Sequence, residues 1–149
     1  MKLCKDGDLE TLIKEYYSGT EISGWSIMYI ACQEGQLDIC KWIFECYPKE
    51  LYKKSHYNYP VDVACSNNRL NILKWIYEID NDLIWHLCNR FISSDEYLWY
   101  FKSAEIIDWL RDIIKKDYEK IIKKCDASKW IKNPKSVLDY KINILKKGL

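Results

Sequence analysis

Hydrophobic residues recur along this chain at the spacing of an α-helix. In residues 37–43 and again in residues 70–76, Leu, Ile, Trp and Ile return with a helical period, and polar side chains stand between them. Only five glycines and three prolines interrupt the 149 residues, so there are few obligatory breaks. The pattern predicts an all-α fold.

Two segments of the chain repeat at an offset of 33 residues. Residues 31–43 are ACQEGQLDICKWI and residues 64–76 are ACSNNRLNILKWI, with seven identities in thirteen positions. Each predicts a short helix, a tight turn and a second helix. The turn needs a residue that tolerates positive φ, which Gly35 supplies in one copy and Asn68 in the other.

Weaker copies flank this pair. Residues 3–10 match the junction between the two helices, and residues 104–110 match the second helix. Trp109 follows Trp75 by 34 residues, which is close to the main period. The first helix of this degenerate fourth copy is expected within residues 87–101.

The repeated unit resembles the ankyrin repeat. The family pattern T-P-L-H-x-A-A-x-x-G-H-L-E-I-V is matched by residues 26–40, and the next copy keeps Pro60 but has Tyr59 for Thr and Asp62 for His. The background of Lys, Ile, Tyr and Asn is similar to ankyrin proteins of large amoeba-infecting DNA viruses. The resemblance implies a helical solenoid of about three to four helix-turn-helix repeats.

The resemblance divides the chain into repeats followed by a cap. The expected repeats are a truncated first (1–20), a second (21–53), a third (54–86) and a degenerate fourth (87–112), with a capping segment of the same domain at 113–149. Residues 1–110 hold 11 basic and 17 acidic side chains, whereas residues 111–149 hold 12 and 5. We therefore predict a basic helical C-terminal cap, since a solenoid needs a polar outer side at its end.

Composition is that of one globular domain, with 48% hydrophobic and 30% charged residues. The N-terminus is charged where a signal peptide needs an apolar region, and no stretch is apolar enough to span a membrane. We expect a cytoplasmic protein, in host cytoplasm if it is viral. The seven cysteines are odd in number and most lie at apolar helix positions, so we interpret them as reduced core thiols. Trp42, Trp75 and Trp109 are expected to fill the space between helices.

Motifs for catalysis or cofactor binding are missing from the sequence. There is no G-x-S-x-G, no phosphate-binding loop and no H-E-x-x-H, and His56 and His86 lie thirty residues apart. No C-x-x-C occurs, and the closest cysteines are Cys40 and Cys46. We predict a protein that is not an enzyme and has no cofactor and no metal.

The resemblance implies that a partner protein binds to the finger loops and the exposed side of the first helices. Trp25 stands out, because it follows Gly24 in the predicted finger; it is either an exposed contact residue or a packing residue at the finger base. The candidate contact residues are Ile22, Ser23, Trp25, Gln33 and Glu34 in one copy, and Ser55, His56, Asn58, Ser66 and Asn67 in the next. The expected partner is another protein, and the chain is expected to be a monomer.

The basic segment offers an alternative function. It contains Trp130 and eight lysines that would suit an anionic surface or nucleic acid: Lys115, Lys116, Lys120, Lys123, Lys124, Lys129, Lys132 and Lys135. An adaptor that recruits a second protein through residues 111–149 is the other alternative. We prefer a solvated cap, because acids are interspersed and no nucleic-acid or membrane motif is found.

Overall fold

The computed structural model describes residues 2–19, 23–53, 59–93 and 101–125. Every regular element within these residues is a helix, which confirms the predicted all-α class. The elements are α1 (Lys2–Asp6), α2 (Leu9–Tyr17), α3 (Gly24–Glu34), α4 (Leu37–Cys46), a 3₁₀ helix (Pro48–Tyr52), α5 (Pro60–Ser66), α6 (Leu70–Ile79), α7 (Asn81–Ser93) and α8 (Ala104–Cys125). Among them, no helix is long and apolar enough to cross a lipid bilayer.

The chain forms two compact units, Met1–Trp75 and Ile76–Leu149, and the boundary falls within α6. The first unit contains three helix pairs. In each pair a left-handed residue separates the helices: Gly7 at φ 75°, Gly35 at φ 85° and Asn68 at φ 60°. The predictions for the turns at Gly35 and Asn68 are confirmed, and residues 3–10 form the predicted junction.

The three turns also share one backbone hydrogen bond. The N–H that follows the left-handed residue donates to the carbonyl five positions earlier, which is the closure of a Schellman motif. These bonds join Asp8 to Leu3, Gln36 to Ala31 and Arg69 to Ala64, at N···O distances of 3.0, 2.9 and 2.8 Å. The same local structure therefore recurs although only two of the three copies match closely in sequence.

Small buried residues bring the first helices of successive pairs together. Cys4, Cys32 and Cys65 each lie three positions before the left-handed residue, and all three are fully buried. Ala31 and Ala64 precede two of them and are also fully buried. Consistent with this, α3 packs against both α1 and α5.

Side chains in the turns tie each helix pair to the one before it. The Gln36 amide nitrogen donates to the Lys5 carbonyl at 3.0 Å, and Arg69 Nε donates to the Gln33 carbonyl at 2.8 Å. Both donors directly follow the left-handed residue, and both acceptors lie two positions before it in the preceding pair. The two junctions thus use the same positions with different side chains.

Each repeated tryptophan makes the same ring contact. Its ring meets, nearly edge to face, an aromatic side chain from the second helix of the preceding copy. The pairs are Tyr16–Trp42 and Phe44–Trp75 in the first unit and Tyr77–Trp109 in the second, with centroids 5.4, 5.8 and 6.1 Å apart and interplanar angles of 88°, 89° and 85°. Trp75 is buried and the other two are half-buried. The prediction that these tryptophans pack between helices is confirmed.

In the second unit, α7 spans the predicted boundary between the third and fourth repeats. The first helix of the fourth repeat is expected within residues 87–101, a range that the described residues cover only in part. The helix α7 itself starts at Asn81, separated from α6 by one residue. The physical reason is a cap: the Asp80 carboxylate accepts a hydrogen bond from the Asp82 N–H at 2.9 Å. The register of the degenerate fourth repeat, which lacks an Ala-Cys pair and a glycine, stays a prediction.

The helix α8 packs against α7 and is kinked at Asp117. It runs through residues 112 and 113, where the sequence suggested a boundary between repeat and cap. Asp117 has non-helical angles (φ −111°, ψ 18°) and its side chain is buried. Its Oδ2 accepts hydrogen bonds from the Tyr77 hydroxyl at 2.7 Å and from Trp85 Nε1 at 3.3 Å. Lys120 lies 3.4 Å from Oδ1.

These contacts control the ionisation of Asp117. Burial on its own would raise the pKa of this carboxyl group, but the hydrogen bonds from Tyr77, Trp85 and Lys120 outweigh it and hold the pKa below its ordinary value. Burial and the bond to Asp117 raise the pKa of Tyr77 to about 12. The carboxylate therefore stays charged inside the kink and joins three helices of the second unit.

Candidate partner-binding surface

Trp25 lies in the first turn of α3, so its predicted place in a loop before the helix is wrong. The helix begins at Gly24, where a Cβ would lie 3.4 to 3.5 Å from Ile43, Tyr47 and Glu50. These are ordinary van der Waals distances, so the first turn of α3 packs against α4 and the 3₁₀ helix. In the sequence, Gly24 alone does not distinguish a loop from the first residue of a helix.

Trp25 pairs with Tyr29, one turn further along α3. Their ring centroids are 5.2 Å apart and the planes are inclined by 34°. Both side chains are half-buried. Trp25 thus packs locally and also remains partly accessible, so the two roles considered for it are compatible.

Four of the predicted contact residues lie where the first helices end. Gln33 and Glu34 are the last two residues of α3; Ser66 ends α5 and Asn67 follows it. All four are half-buried. The Asn67 amide donates to the Val63 carbonyl at 2.9 Å, which holds this side chain against its own helix.

Arg69 links these two helix ends and was not identified from the sequence. Its hydrogen bond to the Gln33 carbonyl brings the turn after α5 to the end of α3. In the sequence, only its position directly after Asn68, the predicted turn residue, could have indicated that Arg69 has this role. The structure thus brings Gln33, Glu34, Ser66 and Asn67 into one region around Arg69.

The remaining predicted contact residues are placed as follows. Ser23 precedes α3 and is exposed, with extended backbone angles. Ile22, Ser55, His56 and Asn58 lie outside the described residues. The predicted role of the finger loops therefore stays a prediction.

Among the described residues, exposed aromatic side chains lie on α2 and in the segment after α4. Tyr17 on α2 is 71% exposed, and Tyr47 and Tyr52 are 42% and 43% exposed. Tyr16 donates a hydrogen bond to the Tyr47 hydroxyl, and this bond together with burial raises the pKa of Tyr16 to about 12. These exposed rings can be compared with the Trp25–Tyr29 pair on α3.

The sulfur atoms of the core are close together but poorly suited to reaction. Cys32 Sγ lies 3.8 Å from Cys40 Sγ and 3.9 Å from Met28 Sδ, and all three residues are fully buried. The contact with Cys32 and burial raise the pKa of Cys40, and burial raises that of Cys4 to about 11. A thiol must ionise to act as a nucleophile, so these positions suit a core role. Among the described side chains, no cluster of three or more His, Cys, Asp or Glu is arranged to hold a metal ion.

Only part of the basic C-terminal segment falls within the described residues. Lys115, Lys116 and Lys120 are exposed on α8, while Glu119 is exposed beside them. Lys123 and Lys124 belong to the same helix, and residues 126–149 lie outside the described part of the chain. The alternative functions of this segment stay predictions.

Comparison with known proteins gives no relative with which this surface can be compared. No protein-family model, no curated protein and no solved structure matches the chain. Function is therefore argued from the residues of the surface.

Proposed function

We propose that this protein is an ankyrin-type repeat module that binds another protein, without catalysis, through the exposed side of its first helices. The repeat architecture is supported by three features that recur at matching positions: left-handed turns, fully buried cysteines three positions earlier, and side chains that tie each turn to the previous pair. Repeats of this kind present a continuous surface formed by neighbouring first helices.

The observation that carries the binding proposal is the aromatic pair on α3. Aromatic side chains that are fixed by packing and remain partly accessible contribute most to protein interfaces, because they bury much area and lose little side-chain entropy. Trp25 and Tyr29 fit this description, since each supports the other ring at 5.2 Å. They lie on the same helix as Gln33 and Glu34, which extends the surface toward Arg69.

The proposal is tested by selecting random twelve-residue peptides on phage against the immobilised full chain. Peptides that bind the proposed surface should bind Trp25→Ala and Tyr29→Ala at least about tenfold more weakly, as expected for an anchor worth more than about 1.4 kcal/mol. Tyr17→Ala is the matched control, since it removes an exposed ring from a second helix and should leave binding unchanged.

Thermal unfolding measured on each variant separates loss of binding from loss of fold. Tyr29→Leu provides a second variant if Tyr29→Ala unfolds at the assay temperature, because leucine removes the ring but keeps apolar volume and helix propensity. The proposal is rejected if no peptide is enriched, or if enriched peptides respond to Tyr17→Ala and not to the changes on α3.

A further inference from the structure

Arg69 is held in place by the turn that contains it and by the turn it crosses. Its own N–H is bonded to the Ala64 carbonyl, and Asn68 before it is left-handed. The side chain then passes over Gly35, where a Cβ would lie only 2.9 Å from Arg69 Cδ and 3.2 Å from Nε. The absence of a side chain at residue 35 therefore makes room for the stem of Arg69.

Within the part of the chain that the structure describes, most of the hydrogen-bonding capacity of Arg69 is unused. Of the five N–H donors of a guanidinium, only the one on Nε has an acceptor among the described residues, the Gln33 carbonyl. Among the described residues no carboxylate forms an ion pair with it. Arg111 on α8 differs, because Asp108 and Asp112 lie 2.8 and 3.4 Å from its nitrogens.

Arg69 lies among the predicted contact residues at the ends of α3 and α5. The donor nitrogen of Asn67 is occupied by the Val63 carbonyl, and that of Gln33 lies 3.5 Å from Glu34. Arg69 is half-buried and carries the only formal positive charge among the residues of this region, which are Gln33, Glu34, Ser66, Asn67 and Arg69. A planar guanidinium with free terminal nitrogens matches a carboxylate with two parallel hydrogen bonds.

We infer that Arg69 is an anchor for a carboxylate side chain, so that the partner protein presents an aspartate or glutamate to the ends of α3 and α5. This inference rests on the proposed function and names the chemistry of the partner. Fixing Nε on the Gln33 carbonyl orders the guanidinium before binding, which lowers the entropic cost of forming the ion pair.

The preceding turn suggests a variant that distinguishes carboxylate binding by Arg69 from a purely structural role. Gln36 occupies the matching position in the preceding turn and makes the matching bond, to the Lys5 carbonyl. Arg69→Gln should therefore retain the hydrogen bond between helix pairs. It should lose the positive charge and the bidentate contact with a carboxylate. We expect its thermal unfolding to resemble that of the unaltered protein.

The experiment uses the peptides selected above, each synthesised in two forms. One form keeps its Asp and Glu residues, and in the other they are replaced by Asn and Gln. The unaltered protein should bind the acidic form at least about tenfold more tightly, while Arg69→Gln should bind the two forms about equally. Trp25→Ala should weaken both forms alike.

The outcomes distinguish the two proposals. If selected peptides depend on Trp25 but are not acidic, or if Arg69→Gln still prefers the acidic form, the role of Arg69 is refuted and the proposed function stands. If no peptide depends on Trp25 or Tyr29, the proposed surface fails and this inference fails with it. If Arg69→Gln alone is unfolded, Arg69→Lys replaces it; lysine keeps the charge but cannot make the paired contact, so its preference for the acidic form should be weaker than that of the unaltered protein, and an undiminished preference refutes the role of Arg69.

Discussion

At the scale of single residues, the left-handed positions decide where each helix pair turns. Gly35 has two separate reasons to be glycine: its φ of 85°, and the Arg69 side chain that lies over it. Gly19 has a similar φ of 89° but nothing within 4 Å of a Cβ. Comparing substitutions at the two glycines therefore separates the cost of backbone strain from the cost of steric contact.

Replacing Gly35 with alanine should destabilise the protein more than replacing Gly19. The left-handed conformation costs an L-residue roughly 1–2 kcal/mol at either site, and at residue 35 the contact with Arg69 adds to this. Urea unfolding followed by circular dichroism measures both free energies.

A double variant identifies the source of the extra loss. If the contact with Arg69 matters, Gly35→Ala combined with Arg69→Ala should lose less free energy than the sum of the two single changes. Equal losses for Gly35→Ala and Gly19→Ala would contradict this account of the turn.

At the scale of helices, the sequence allowed some elements to be predicted and not others. The two pairs centred on Gly35 and Asn68 followed from the match between their sequences. The start of α7 did not, because Asp80 acts through a single side-chain cap that a degenerate repeat does not mark. The helical position of Trp25 could not be predicted, because Gly24 is as typical of a loop as of the first residue of a helix, which it is here. Arg69 could not be recognised, since its role depends on Gln33 and Gly35 in another helix pair.

The kink in α8 predicts a specific loss of stability in acid. The Asp117 carboxyl group has a lower pKa in the folded chain than its ordinary value of 3.8, so the unfolded chain takes up a proton first as the pH falls. The stabilisation is thus present above about pH 4 and lost as the pH drops through the folded pKa. Measuring unfolding free energy against pH for the unaltered protein and for Asp117→Asn should show a difference that shrinks in this range.

Two further variants control that measurement. Asp112→Asn removes an exposed carboxylate from the same helix and should leave the pH dependence nearly unchanged. Tyr77→Phe removes one hydrogen bond to Asp117 and should move the loss of stability to higher pH. A difference between the unaltered protein and Asp117→Asn that is constant with pH would count against this mechanism.

At the scale of the whole molecule, buried thiols report on both compact units. Cys4, Cys32, Cys40 and Cys65 lie in the first unit and Cys88 in the second, and all five are fully buried. Cys46 is half-buried and provides an internal reference. Each unit can therefore be followed separately by chemical labelling.

We predict that N-ethylmaleimide modifies Cys46 at least about a hundredfold faster than the five buried cysteines under native conditions, because a buried thiol reacts only when its surroundings open. Mass spectrometry of tryptic peptides after timed labelling measures each rate. In urea sufficient to unfold the chain, the rates should become similar. Fast native labelling of Cys32 or Cys65 would show that the repeat core is open.

The ties between helix pairs have a consequence for how this surface can change. Gln36 and Arg69 bond to main-chain carbonyls, and every amino acid offers the same carbonyl. Lys5 and Gln33 provide these carbonyls from the main chain. Their side chains take no part in the junction, so they can be exchanged without altering it. Recognition can therefore evolve at these positions while the stack of helices is preserved.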